Sequence, residues 1–139
     1  MQLTKHTDFA FRALIFLASM EEELTTIKII TERFSISKSH GMKIVNKLVH
    51  QGWITATRGK NGGISLGCDP KDITLSEVVK LMENTLEPVN CNNPPCLILK
   101  ACILKGVLDN AQQVYFDYLD TFTLADMLND KTQRLLAQG

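Results

Sequence analysis

Three of the four cysteines fall within twelve residues, as Cys91, Cys96 and Cys102 in the stretch NCNNPPCLILKACILKG. Thiolates are soft ligands, so three in one short segment can hold zinc, hold an iron–sulfur cluster, or act as redox groups. Their C-x4-C-x5-C spacing is neither the paired C-x2-C of a zinc ribbon nor a ferredoxin run. Pro94 and Pro95 favour an extended loop from which Cys91 and Cys96 point at one centre, with Cys102 reaching it from a following helix. Neither Asp nor Glu lies between Cys91 and Cys102, while Lys100 and the helix-start amides favour thiolates and an anionic cluster. The plain alternative is a set of buried, inert cysteines, and the sharper competitor is a zinc site on the same thiolates. Ligand softness does not separate zinc from iron.

Such a loop needs a fold to hold it. A chain of 139 residues, 45% hydrophobic and 22% charged, suits a soluble globular protein with one ordinary core or two small ones. The apolar run Phe9 to Met20 is interrupted by Arg12 and lacks the flanks of a signal peptide or a membrane span, so a cytoplasmic protein is expected. In a reducing compartment, clustered cysteines are ligands or redox groups more often than a disulfide frame.

The net charge of zero hides an asymmetry. Residues 1–70 carry nine Lys/Arg against six Asp/Glu, and residues 71–139 carry six against nine. From Lys28 to Lys60, seven basic residues face Glu32 alone, which suggests a surface for a polyanion. The hydrophobic spacing predicts a first helix over 7–20, a second capped by Thr25 or Thr26 and ending at Phe34, and a third capped by Ser37 and reaching Gln51. Met42, Val45, Leu48 and Val49 form the expected buried side of the third. Two short helices joined by a tight turn make a helix-turn-helix, whose second helix enters the major groove of DNA. The groove-facing candidates are Ser37, Lys38, Ser39, His40, Lys43, Asn46 and Lys47. WITATR and ISLG then read as strands around a two-residue Asn61-Gly62 turn. Arg58, Gly59, Lys60 and Asn61 near the tip of this wing can reach phosphates or the minor groove. The expected unit, residues 1–70, is a winged helix-turn-helix domain; a protein-docking module on the same fold is the alternative.

Residues 71–139 read as a connecting helix, the cysteine loop, a dimerisation helix and a tail. Thr74-Leu-Ser-Glu77 is a capping box opening a helix with Leu75, Val78, Val79 and Met82 on its apolar face, ending near Pro88. A short helix over 97–104 and a long one over 106–122 follow. Leu108, Ala111, Val114 or Tyr115, Tyr118 and Phe122 form the apolar stripe of the long helix, with Gln112, Gln113, Asp117 and Asp120 facing away. That stripe calls for a partner, and a homodimer on a palindromic operator suits a major-groove reader. Thr123 to Asp126 is a weaker capping box for a short terminal helix, and the last ten residues are expected to fray. The overall class is mostly α with a small β-hairpin. Histidines at 6, 40 and 50 are scattered and no glycine-rich loop opens a helix, so no enzyme is expected. An electron carrier would not need a basic helix-turn-helix.

From MQLTKHTDFAFRAL through TRGKNGGISLG to the cysteine loop and FTLADML, the chain resembles the NsrR-type nitric-oxide-sensing repressors of the Rrf family of winged-helix regulators. The resemblance covers residues 1–128. It implies a homodimer, operator binding by the third helix and wing, and an iron–sulfur cluster on Cys91, Cys96 and Cys102, with [4Fe-4S] favoured over [2Fe-2S]. The sister IscR type uses C-x5-C-x5-C with a histidine three residues after the last cysteine, where this chain has Lys105. In the nitric-oxide-sensing branch an N-terminal aspartate is the fourth ligand, and Asp8 in HTDFAF matches it. By itself, Asp8 is equally a carboxylate favoured by a helix N-terminus. His6 and Cys68 are the other candidates; His6 reads better as solvent- or DNA-facing, Cys68 as an ordinary small side chain. Carboxylate binds iron less well than thiolate, so nitric oxide would enter at that iron and loosen DNA binding. A regulator responding to iron–sulfur status, zinc or thiol redox is the alternative.

Overall fold

The computed structural model describes residues 1–21 and 23–138. Helix α1 spans Lys5–Ser19, α2 Ile27–Arg33 and α3 Lys38–Gln51; strands β1 (Ile54–Thr57) and β2 (Gly63–Leu66) follow. A 3₁₀ turn at Pro70–Asp72 leads to α4 (Leu75–Met82), then α5 (Ile103–Asp120), a second 3₁₀ turn at Leu124–Met127, and α6 (Asp130–Ala137). This is the mostly helical winged-helix fold with its two-stranded antiparallel hairpin.

Local chemistry starts the helices. Thr4, Thr26 and Ser37 each stand in extended conformation with a side-chain oxygen accepting an N–H of the first turn. Thr74 and Glu77 close the capping box of α4 in both directions, at 2.8 and 3.2 Å.

Helix α1 is the central post. Phe9, Ala13, Leu14, Phe16 and Leu17 are buried among Ile30 of α2, Ile44, Val45 and Leu48 of α3, and Trp53, Ile54 and Ile64 of the hairpin. Ile73, Val78, Met82 and Leu124 join the same cluster, so one core continues past residue 70. The hairpin pairs Ile54 with Leu66 and Thr57 with Gly63. Thr25 exchanges both backbone hydrogen bonds with Ile64, at 3.0 and 2.7 Å, which ties the wing to the start of α2.

Several expectations change. The wing turn is a five-residue loop over 58–62, not a two-residue turn at Asn61-Gly62; the left-handed residue is Gly59, at φ 111°. On α3 the inward row is Gly41, Ile44, Val45 and Leu48, a helical repeat that rotates Met42 out to 45% exposure. Helix α4 stops at Met82, well before Pro88. Residues 97–101 form turns instead of a helix, and α5 begins earlier, at Ile103. Leu97 is fully exposed and Ile98 largely so, and a helix this short with so little to pack on does not hold itself. Phe116 is the buried residue of α5, under the Lys80 ammonium at 5.0 Å, while Gln112 turns inward to donate to the Leu86 carbonyl. Residues 130–137 are helical rather than frayed. Asn129 accepts from Thr132 N–H at 2.8 Å, and the Arg33 guanidinium donates to the Leu136 carbonyl.

Candidate functional site

The basic surface comes together on α3 and the hairpin tip. Lys38, Ser39, His40, Lys43, Asn46 and Lys47 are all exposed, as are Arg58, Gly59, Lys60 and Asn61. Among the described residues none of the five cations in that set forms an ion pair. Their charge is therefore available to phosphates. Ser37 has a local duty: its hydroxyl accepts the His40 N–H at 3.3 Å and starts the helix.

The packing of α3 against α2 rests on one close approach. The Thr31 hydroxyl donates to the Lys28 carbonyl at 3.0 Å, which turns its methyl toward Gly41. A Cβ at Gly41 would stand 2.3 Å from that methyl. Glycine sets the distance between the two helices.

At the same end of α3, the start of α1 also comes alongside. His6 and His40 meet edge to face with centroids 5.5 Å apart, and both line a groove that also holds Asp8 and Arg12. Sequence reading treats the histidines as scattered, because 34 positions separate these two and only the helix packing unites them. Asp8 is about half exposed and grips Arg12 through both oxygens, at 2.8 and 2.9 Å. Such an i,i+4 pair is worth only about 0.3–0.5 kcal/mol.

The cysteine loop is tighter than an extended segment. Cys96 N–H donates to the Cys91 carbonyl at 3.0 Å, and the Asn90 side chain accepts from Asn92 and Asn93, both at 3.1 Å. Cys91 and Cys102 are half-buried, Cys96 is exposed, and all are free thiols. Cys102 occupies the N-cap of α5 with no side-chain cap bond. Lys105, one turn on, reaches Asp109 at 2.6 Å. That hydrogen bond and the attraction of Asp109, with smaller contributions from Cys91 and Glu87, raise the pKa of its ammonium. The donor set suits a soft metal or cluster: three uncommitted thiols in one short segment beside a cation. Among the described residues no three His, Cys, Asp or Glu side chains are gathered for a metal, and no cysteine lines the groove that holds Asp8. Cys68 lies apart, beside Leu66 and Asp69; burial first, then the Asp72, Asp69 and Glu77 carboxylates, push its thiol pKa up.

A family model matches residues 3–130, that of Rrf2, described as an iron-dependent transcriptional regulator. The chain belongs to the Rrf2 family. Its fold matches the IscR protein of T. potens with a TM-score of 0.77 at 25% identity, over 100% of this chain and 94% of that one. CymR of B. subtilis, a global cysteine regulator, aligns at 24% identity and a TM-score of 0.68, over 91% and 95% of the two chains. The oxidized form of Staphylococcus aureus CymR aligns at 22% and 0.72, over 89% and 93%; the two CymR structures share the fold. As an Rrf2 member, the protein is a DNA-binding transcriptional regulator, not an enzyme. No helix among the described residues is long and apolar enough to cross a membrane.

Proposed function

We propose that this Rrf2 regulator is a homodimeric repressor of the nitric-oxide-sensing type. In this reading an iron–sulfur cluster on Cys91, Cys96 and Cys102 sets its affinity for a palindromic operator. The supporting observation is the loop itself: three free, solvent-reachable thiols at the start of α5, beside apolar side chains that a lone chain leaves bare. Asp8 would be the fourth ligand, supplied by the partner, since one chain's Asp8 groove contains no cysteine. The weak Arg12 pair lets Asp8 leave cheaply. A bound cluster would supply iron able to take up nitric oxide.

The chain's own residues carry the rest. Asp8 stands one turn into α1, on the groove shared with the first turn of α3. A pull on Asp8 therefore acts beside the DNA-reading helix, not at a distance from it. A coupling of about 1–3 kcal/mol would change operator affinity roughly 5- to 150-fold. The experiment is anaerobic purification, iron and sulfide analysis, and a visible spectrum before and after nitric oxide, paired with an operator titration. Cys96→Ala should abolish the cluster absorption. Unchanged operator affinity after nitric oxide would overturn the reading.

A second reading, a thiol or zinc redox switch, is favoured by the exposure of Cys96. It predicts zinc or no metal in the purified protein, and DNA binding that responds to peroxide or disulfide.

A further inference from the structure

The groove between the start of α1 and the turn into α3 is lined by Lys5, His6, Asp8, Arg12, Ser37 and His40. Phe9 and Ile44, both buried, stand behind them. Its one carboxylate is offset by Arg12, which it meets through both oxygens. What remains is the Lys5 ammonium and two imidazoles, which carry ring N–H donors. A cation entering here would meet Lys5 and Arg12, whereas an anion would meet the Lys5 charge and the imidazole N–H donors. The groove therefore selects an anion.

Its position names the anion. The wall formed by Ser37 and His40 is the first turn of α3, the end of a helix-turn-helix reader that points at base edges. The anion nearest such a helix end is a phosphate of the DNA backbone. The His6 and His40 rings, 5.5 Å apart at 60°, hold each other edge to face. Rings at that spacing lie within hydrogen-bonding reach of a single phosphate group.

We propose that Lys5 and His6 of α1, with His40 of α3, form a clamp for one phosphate of the operator backbone, which makes the first helix part of the DNA interface. This rests on the reading of α3 as the DNA-reading helix. The charge count over 28–60 stops short of Lys5 and His6, so the basic-stretch argument does not include them.

The test uses full-length protein, purified anaerobically, and a duplex recovered from a random-sequence library by selection on that protein. Binding is measured by fluorescence anisotropy across a salt series, with thermal melting as the check on folding. His6→Phe keeps an aromatic ring against His40 and removes the donor; His6→Gln keeps a donor and removes the ring. The clamp predicts roughly ten-fold weaker binding for His6→Phe and a smaller loss for His6→Gln. Lys5→Gln should lower the slope of log affinity against log salt by about 1 per subunit, about 2 for the dimer, on selected and scrambled duplexes alike. If His6→Phe binds like wild type while His6→Gln melts lower, the histidines only pack and the clamp is wrong. An unchanged salt slope in Lys5→Gln also overturns it. If wild-type protein shows no salt-dependent duplex binding, the DNA-reading assignment fails first and takes the clamp with it.

Discussion

Cys68 and Cys96 share a functional group and differ in everything that sets thiol reactivity. Cys96 is exposed on a polar loop; Cys68 is half-buried, and that burial, followed by three nearby carboxylates, pushes its pKa up. In cluster-free protein near neutral pH, iodoacetamide should modify Cys96 first and Cys68 last, as read by peptide mass spectrometry. Equal rates would contradict the burial of Cys68. The same shift has a sign for stability. The folded state holds the thiol proton more tightly than the unfolded chain, so Cys68's contribution is intact below its ordinary value of 9.0 and lost as pH rises past it. The sequence discloses the thiols by type and spacing, because that information is local. It does not disclose that His6 meets His40, which follows only from how two helices pack.

At the scale of elements, the caps are legible and the phases are not. Thr26, Ser37 and the Thr74–Glu77 box stand where their side chains satisfy first-turn amides, a relation spanning three residues. Which face of a helix turns inward depends on neighbours far along the chain. Met42 is therefore misplaced in sequence reading, and Phe116 and Gln112 on α5 go unrecognised as inward residues. The wing turn fails differently: an Asn-Gly pair is present, but the strands end earlier and Gly59 takes the left-handed position. Close approach of α2 to α3 gives a sharp expectation. Gly41→Ala should lower stability by about 1–3 kcal/mol in denaturant melts, because the added methyl meets a Thr31 methyl fixed by its own hydroxyl. Adding Thr31→Ser, which removes that methyl and keeps the hydroxyl, should recover much of the loss; no recovery would place the strain elsewhere.

At the scale of the whole molecule, the exposed apolar side chains fall largely on one helix and the loop before it. Ile103, Val107, Val114 and Tyr118 recur on α5 at helical spacing, the last two at 68% and 64% exposure, and Leu97 and Ile98 extend the surface. A stripe expected from sequence through Val114 and Tyr118 is thus bare in one chain, while Leu108, Tyr115 and Phe122 of the same set are half-buried. A second copy is the proposed cover. Val114→Glu should weaken self-association roughly 30-fold or more in sedimentation velocity, since it buries a lone charge in an apolar contact. An undiminished dimer would move the interface off this face. That the core runs from α1 into Ile73, Val78 and Leu124 was not readable from the sequence. The change of pattern near Pro70 marks a turn, and a turn does not show whether the chain folds back.

The Arg33 contact carries a practical consequence. Arg33 ends α2, lies 5.4 Å from the Phe16 ring and holds the Leu136 carbonyl of α6, so α6 is fastened to α1 and α2. At the other end, Thr4 N–H donates to Glu83 at 3.0 Å one residue before Lys5. Both α6 and the residue before α1 are thus tied to other helices of the same core. A fluorescent label that disturbs neither contact can be carried on the exposed face of α5, on a residue such as Gln113.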